Sequence, residues 1–285
     1  MTDSCPKSLI LKPWGLSNTA QISPTPMPQT TTPTITLWPS GTLLSVTNPA
    51  RGSNPPANAG RGLRNKVTVF SRASRRRMLR TMAKLSKAAL PIFATLTYPQ
   101  SYSSNPTDWK EDLRVWGARL KRACPTAAFI WRLEFQKRGA PHFHVLIYGL
   151  TKNISDFQKW LSTSWYEVVK SCDERHLQAG TNAQHMRSYR GLMVYAGKEL
   201  AKTSQALLGS TYAEGVGRWW GAFNRACLPW AESESQQISE KQYHGLIRLM
   251  RRYAHLRSRG YPSLTIFCNA EWWHARMPEI LDMLS

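Results

Sequence analysis

Residues 127–149 read AAFIWRLEFQKRGAPHFHVLIYG, two runs of alternating side chains separated by a segment with glycine and proline. Because successive side chains point to opposite faces of a strand, the pattern predicts an antiparallel hairpin with KRGAP, residues 137–141, as its turn. One face is then apolar and consists of Phe129, Trp131, Leu133, Phe135, Phe143, Val145 and Ile147. The opposite face gathers Glu134, His142 and His144. The hairpin therefore predicts one surface that packs against helices and one that brings a carboxylate close to two imidazoles.

The polar face of this hairpin predicts a metal site. The predicted turn pairs Gln136 with His142 and Glu134 with His144, with opposed Cβ atoms about 5 Å apart. An even shift of register keeps the faces and the cluster, whereas a one-residue slip destroys them. Three ligands leave coordination positions open for a phosphate oxygen. Oxygen-rich substrates favour Mg²⁺ or Mn²⁺, although imidazoles alone favour zinc and other transition metals. Two buried, hydrogen-bonded histidines are the alternative.

The rest of the chain predicts an α+β fold with a mostly antiparallel central sheet and flanking helices. PIFATLTYP, residues 91–99, reads as a strand, and residues 183–188 as a short one. Helices are predicted over residues 108–124, 155–172 and 189–202. The first of these helices carries an apolar face at helical spacing, made of Trp109, Leu113, Trp116 and Leu120.

Composition divides the chain into three parts. Residues 1–65 are predicted to be a disordered tail, since residues 1–60 hold 10 of the 18 prolines and few charges. An over-extended gene start is the alternative, because Met78 and Met82 lie downstream. Residues 66–205 carry the motifs and form the predicted catalytic domain. Residues 206–285 form a C-terminal extension with a basic helix and a possible strand, which we expect to pack on the domain and contact phosphates.

The charge balance favours a nucleic-acid partner. The chain has 38 Lys and Arg against 17 Asp and Glu, a net charge of +21, together with 12 tryptophans. Arg75, Arg76 and Arg77 lie in a stretch without acidic residues and are predicted to contact phosphates, a solvated surface being the alternative. No apolar run approaches the roughly 18 residues of a membrane span. The scattered cysteines predict neither disulfides nor structural zinc, which is typical of a cytosolic protein.

Tyr195 is the candidate nucleophile. Within GLMVYAGKELAKT it shares one helical stripe with Lys198 and Lys202. A phenol has an ordinary pKa near about 10, so an adjacent ammonium favours the reactive phenolate and can also neutralise a phosphate. Tyr189 is a rival on a different side of the predicted helix. A structural tyrosine with an exposed hydroxyl is the alternative.

With these motifs in this order, the sequence resembles the HUH endonucleases, specifically the single-tyrosine replication initiators of plasmids and single-stranded DNA phages. FATLTYP at residues 93–99 looks like their first motif, His142-Phe143-His144 like their second, and Tyr195-x-x-Lys198 like their third. Glu134 matches the acidic ligand that members often place on the preceding strand. The resemblance covers residues 66–205.

The resemblance implies a metal-dependent endonuclease that nicks single-stranded DNA at a replication origin. It implies a 5′-phosphotyrosine at Tyr195, religation, and rolling-circle replication. Lys198 is the implied catalytic partner of Tyr195. The predicted DNA-binding residues are Thr95, Thr97, Arg132, Lys202, Arg75, Arg76 and Arg77.

Other functions remain open. A tyrosine transposase or a relaxase of the same superfamily, or a non-catalytic nucleic-acid-binding protein, would share parts of this pattern. A second catalytic tyrosine is missing at the expected spacing. The sequence also lacks a G-x-x-x-x-G-K-[ST] phosphate loop, so unwinding and synthesis would need a separate host helicase and polymerase. Cytoplasmic localisation is expected in a bacterial host.

Overall fold

A computed structural model describes residues 32–38, 43–47, 70–188, 215–253, 263–267 and 270–285. The described helices are α1 (Arg72–Ala83), α2 (Pro106–Ala123), α3 (Ile154–Val168), α4 (Glu174–Ala179), α5 (Glu240–Tyr253) and α6 (Ala270–Met283). The described strands are β1 (Thr34–Trp38), β2 (Leu43–Thr47), β3 (Ile92–Thr97), β4 (Ala128–Phe135), β5 (Pro141–Tyr148), β6 (Thr181–His185), β7 (Trp220–Phe223), β8 (Glu234–Gln237) and β9 (Ser263–Phe267). All strand pairs described within the two sheets are antiparallel, which confirms the α+β prediction.

The first sheet is built around the predicted hairpin. Its strand order is β6-β3-β5-β4-β7, with β5 and β4 at the centre. The predicted turn lies one residue too late at each end, because Phe135 pairs with Pro141. The Gln136 amide donates to the Ala140 carbonyl at 2.9 Å, and Gly139 takes a left-handed φ of 82°. Glu134 therefore lies opposite His142, not His144, while every side chain keeps its predicted face.

Helices α2 and α3 cover the apolar face of this sheet. The predicted face of α2 is confirmed, since its buried residues include Trp109, Leu113, Trp116 and Leu120. Asn105 caps this helix by accepting from the Thr107 amide at 3.0 Å. The core beneath both helices contains the fully buried Trp116, Trp165, Phe129, Phe143 and Phe157. This packing fixes which side of the hairpin is left for polar groups.

Helix α1 covers only part of the opposite face. Met78, Leu79 and Met82 of α1 pack against β4 and β5 through Ala128, Ile130, Leu146 and Tyr148. The opposite face is thus half apolar, and the polar residues occupy the rows of the sheet beyond this contact. The strand predicted near residues 183–188 is β6, whereas the helix predicted over residues 189–202 lies outside the described residues.

A second sheet joins two distant parts of the chain. Its order is β8-β1-β2-β9, and its core, with Ile35, Leu246 and Trp273 at the centre, includes residues of α5 and α6. Strands β1 and β2 lie within the predicted disordered tail, so disorder does not hold for these two segments. In β1, TITLW, alternation buries Ile35 and Leu37, and this apolar face pairs with a distant partner. The remaining residues of 1–65 lie outside the described part of the chain.

None of the helices described here is long and apolar enough to cross a membrane.

Shortening Ile35 tests whether β1 is an integral part of the second core. Ile35 is 0% exposed, so we expect Ile35→Ala to lower the free energy of unfolding by about 2–5 kcal/mol. Urea unfolding followed by tryptophan fluorescence measures this loss. Thr47→Ala, at an exposed position of neighbouring β2, is the matched control and should cost at most about 1 kcal/mol. Equal, small effects of the two variants would contradict the assignment of β1 to this core.

Candidate functional site

The candidate site occupies two neighbouring rows of side chains across the first sheet. Strand pairing aligns Thr97, His142 and Glu134 in one row. The next row contains Asn182, Thr95, His144 and Arg132. Because alternate residues share a face, both rows point to the side opposite α2 and α3. The hairpin thus brings together the three predicted metal ligands, as the parity of the sequence requires.

The two imidazoles lie against each other and against the carboxylate. The ring centroids of His142 and His144 are 4.6 Å apart, with the rings nearly perpendicular at 84°. His144 Nε2 lies 3.4 Å from Glu134 Oε2. Phe93, on β3, stacks on His144 with centroids 5.4 Å apart and fixes the plane of that ring. The predicted cluster of Glu134, His142 and His144 is therefore compact despite the shifted turn.

Arg132 gives Glu134 a second partner. Arg132 Nη1 lies 2.5 Å from Glu134 Oε1, and the two side chains are only 6% and 7% exposed. The Arg132 guanidinium carbon also lies 5.3 Å from the ring centroid of Phe70. Removal of both charges from water requires their mutual pairing. This buried guanidinium therefore neutralises a neighbouring carboxylate within the protein, a contact that its prediction as a DNA-binding residue did not include.

His142 is held as a neutral ring at physiological pH. Burial lowers its pKa to about 4, and the neighbouring His144 lowers it further, against the opposing effect of Glu134. Its Nδ1 is 2.9 Å from the hydroxyl oxygen of Thr97. Since that contact occupies one ring nitrogen, Nε2 is the nitrogen left for a ligand outside this bond. A neutral imidazole is the form in which histidine binds a metal.

The metal prediction meets the described geometry only in part. Among the described residues, no group of three or more His, Cys, Asp or Glu side chains is arranged so that it could hold a metal ion. The donor types fit a divalent cation, since two imidazoles and one carboxylate lie in one patch. Their positions pair Glu134 with both Arg132 and His144. A bound cation would therefore compete with Arg132 for the carboxylate.

The other predicted site residues lie in different surroundings. Tyr195, Lys198 and Lys202 are outside the described residues, and so is the side chain of Arg76. Arg77 is exposed on α1, where a phosphate can reach it, whereas Arg75 is half-buried. Thr95 is half-buried beside His144, and Thr97 contacts His142.

Asn182 is a polar neighbour of the site that the sequence did not single out. It lies opposite Thr95 on the edge strand β6 and is exposed. The short strand was predicted, but its face could be assigned only once its pairing with β3 was known. Its exposed amide extends the polar row to the edge of the sheet.

Residues 91–204 match a family model described as Replication-associated protein ORF2, a match that spans less than half of the 285 residues. The matched segment begins just before β3 and includes the hairpin, His142, His144 and the Tyr195-x-x-Lys198 motif. Neither the curated proteins nor the solved structures gave a significant match. The family match supports a protein of DNA replication.

Glu134→Gln tests the buried ion pair. The substitution leaves the Arg132 charge buried without its carboxylate, so we expect the free energy of unfolding to fall by about 3–5 kcal/mol. A double variant, Arg132→Met with Glu134→Leu, should recover most of this loss, because it removes both buried charges. Urea unfolding in EDTA is the measurement.

Glu111→Gln provides the matched control for that experiment. Glu111 bonds Arg114 at 2.5 Å, but the two side chains are 54% and 64% exposed, so water replaces the lost partner. A Glu134→Gln variant as stable as Glu111→Gln would show that Arg132 is not held by Glu134.

The depressed pKa of His142 predicts a loss of stability in acid. The unfolded chain takes up the proton near the ordinary pKa of 6.5, whereas the folded ring resists it until about 4. Stability is therefore complete above about pH 6.5 and falls as the pH drops toward 4, by at most about 3 kcal/mol. His142→Gln should lack this part of the decline when both proteins are unfolded in urea with EDTA across this range. Parallel pH profiles of the two proteins would contradict the shift.

Proposed function

We propose, from the family match over residues 91–204, that the chain is a replication initiator that nicks single-stranded DNA at an origin. The nick would form by metal-dependent transesterification, leave a 5′-phosphotyrosine at Tyr195 and be resealed in rolling-circle replication. The observation that supports this most is the compact cluster of His142, His144 and Glu134 inside the matched segment. Its ligand types are those that a phosphoryl-transfer site uses to bind a cation.

The covalent step exchanges one phosphate ester for another. The phenolate oxygen of Tyr195 attacks the scissile phosphorus, and the bond from phosphorus to the 3′ oxygen breaks. The departing strand takes up a proton and ends in a 3′ hydroxyl, while the 5′ side stays esterified to the tyrosine. Because the ester is retained, a free 3′ hydroxyl can reverse the reaction and reseal the strand. Lys198, on the same predicted helix stripe, would favour the phenolate and offset phosphate charge.

Three residues would hold Mg²⁺ or Mn²⁺ in this proposal: His142, His144 and Glu134. When bound, such an ion polarises a non-bridging oxygen of the scissile phosphate and helps to orient the group. The neutral ring of His142 is ready to bind without first losing a proton, because its pKa is lowered to about 4. Glu134 would have to exchange part of its contact with Arg132 for the ion.

The proposed partner is a single DNA strand attracted by the basic surface. A net charge of +21 raises the local concentration of polyanions and makes binding sensitive to salt. Arg75, Arg76, Arg77, Lys202 and Thr95 are the residues we propose to contact this strand. A separate host helicase and polymerase would act after the nick, and the reaction would take place in the cytoplasm of a bacterial host.

The ion pair of Arg132 with Glu134 favours a second candidate function. If the guanidinium keeps the carboxylate, the patch holds only two imidazoles, which is a weak site for a hard cation. The chain would then be a non-catalytic nucleic-acid-binding protein. Such a protein binds DNA in a salt-sensitive manner, ignores EDTA and cuts no strand.

A covalent-adduct assay tests the nicking proposal. The chain is incubated with Mn²⁺ and a pool of random single-stranded oligonucleotides that carry different labels at the 5′ and 3′ ends. On a denaturing gel we expect a protein band that retains the 3′ label alone, since a 5′-phosphotyrosine keeps the downstream fragment. EDTA and Tyr195→Phe should each abolish this band, because the first removes the cation and the second the nucleophile.

Tyr189→Phe is the matched control, since Tyr189 lies on a different side of the same predicted helix. An adduct that survives in Tyr195→Phe would refute the nucleophile. Salt-sensitive binding without scission, unchanged by EDTA, would establish the second candidate instead.

A further inference from the structure

Thr97, at the end of β3, has every one of its polar groups engaged. Its amide donates to the carbonyl of Gly180 at 2.8 Å. Its carbonyl accepts from Trp165 Nε1 at 2.7 Å and from His176 Nε2 at 2.7 Å. Its hydroxyl lies 2.9 Å from His142 Nδ1. We call Thr97, Trp165, His176 and Gly180 the Thr97 clamp, which joins α3, α4 and the start of β6 to one imidazole of the candidate site.

The Thr97 clamp is buried and closely packed. Trp165 is 0% exposed and His176 is 7% exposed, so water does not compete for the Thr97 carbonyl. A Cβ atom on Gly180 would lie 2.5 Å from Nε2 and Cδ2 of the His176 ring, so only glycine permits this approach. The Gly180 amide also donates to the His176 carbonyl at 2.7 Å. The position of the His176 ring is therefore fixed by the backbone beside it.

Two donors use both lone pairs of the Thr97 carbonyl. The side-chain hydroxyl therefore cannot turn to its own carbonyl, which would be the local alternative for a threonine. It is held facing the imidazole of His142, where it can accept a proton from Nδ1. If Nδ1 carries the proton, the lone pair of the neutral ring lies on Nε2.

We propose that Trp165, His176 and Gly180 are positioning residues for His142. They act through Thr97, and their effect is to keep the proton of the neutral His142 ring on Nδ1 and the lone pair on Nε2. The importance of this orientation for a cation rests on the function proposed above, but the orientation itself does not. A ligand imidazole commonly has its other nitrogen fixed by such a partner. In this chain the partner is itself held by two further side chains from the opposite layer.

A merely structural role predicts a different result. The same bonds also tie α3 and α4 to the sheet, so removing them would lower stability in either case. Only the positioning role changes where the proton resides on the His142 ring. The decisive measurement is therefore the tautomer of His142 in the full-length, metal-free protein at neutral pH, read from ¹⁵N shifts of the histidine ring nitrogens.

We expect the wild-type protein to show His142 predominantly with the proton on Nδ1. Thr97→Val removes the hydroxyl at nearly constant volume and should shift the population toward a proton on Nε2. Thr97→Ser retains the hydroxyl and should restore the wild-type tautomer. Trp165→Phe and Gly180→Ala, which disturb the clamp without touching His142, should each give a mixed population.

Trp160→Phe is the matched control for Trp165→Phe. Trp160 lies on the same helix and packs against Phe157 and Trp116, with centroid distances of 5.9 and 6.5 Å. It belongs to the same core but not to the clamp, so the His142 tautomer should be unchanged. A tautomer that stays wild-type in Thr97→Val, Trp165→Phe and Gly180→Ala, all folded by circular dichroism, would overturn the proposal.

The affinity for Mn²⁺, measured by calorimetry, provides a second readout. We expect a loss of about tenfold or more in Thr97→Val and Gly180→Ala. An altered tautomer without any Mn²⁺ binding in the wild type would support the clamp and contradict the proposed metal site. Mn²⁺ binding with an unaltered tautomer in all variants would support the metal site and contradict the clamp.

Discussion

The alternation of side chains along β4 and β5 is the constraint on which the rest of the structure depends. Phe129, Phe143 and Trp165 fill one side of the first sheet, and exposing that side would cost far more than any local change of turn. The hairpin can therefore slide by an even step but not by an odd one. Glu134, His142 and His144 stay together for this reason. The chemistry of the polar face is thus protected by the packing of the apolar one.

The charge of the chain is distributed unevenly between its surface and the candidate site. In the site, Arg132 and Glu134 neutralise each other, and His142 is uncharged at neutral pH. The attraction of a polyanion must then come from exposed groups such as Arg77. This division separates capture of a strand by long-range charge from the short-range contacts that would orient one phosphate. It also means that the net charge alone does not distinguish a nicking enzyme from a binding protein.

Local periodicity made part of the fold predictable. The apolar face of α2 and the two faces of the hairpin follow from spacing within one element, and the structure confirms them. The register was wrong by one residue at each end of the turn, because it depends on the bonds of Gln136 and the left-handed Gly139. Strands β1 and β2 were missed, since TITLW becomes a strand only by pairing with residues far along the chain.

The candidate site was predictable to the same extent. Glu134, His142 and His144 share a face by parity alone, and the structure brings them together. The contact of Arg132 with Glu134 could have been inferred from their spacing on one strand face. The contacts of Trp165 and His176 with Thr97 could not, because they join elements whose packing no local pattern reveals. Tyr195 and Lys198 stay predictions, since they lie outside the described residues.

The second sheet has a consequence for how the chain acquires its structure during synthesis. Thr36 and Ser235 touch across neighbouring strands although they are 199 residues apart in sequence. On the ribosome, β1 and β2 emerge early, and an isolated two-stranded hairpin is at best marginally stable in water. They must wait for β8 and β9, and closing so long a loop is entropically costly and slow. The first sheet can mature in the meantime, whereas the unpaired edges of β1 and β2 stay open to chaperones or to self-association until translation is nearly complete.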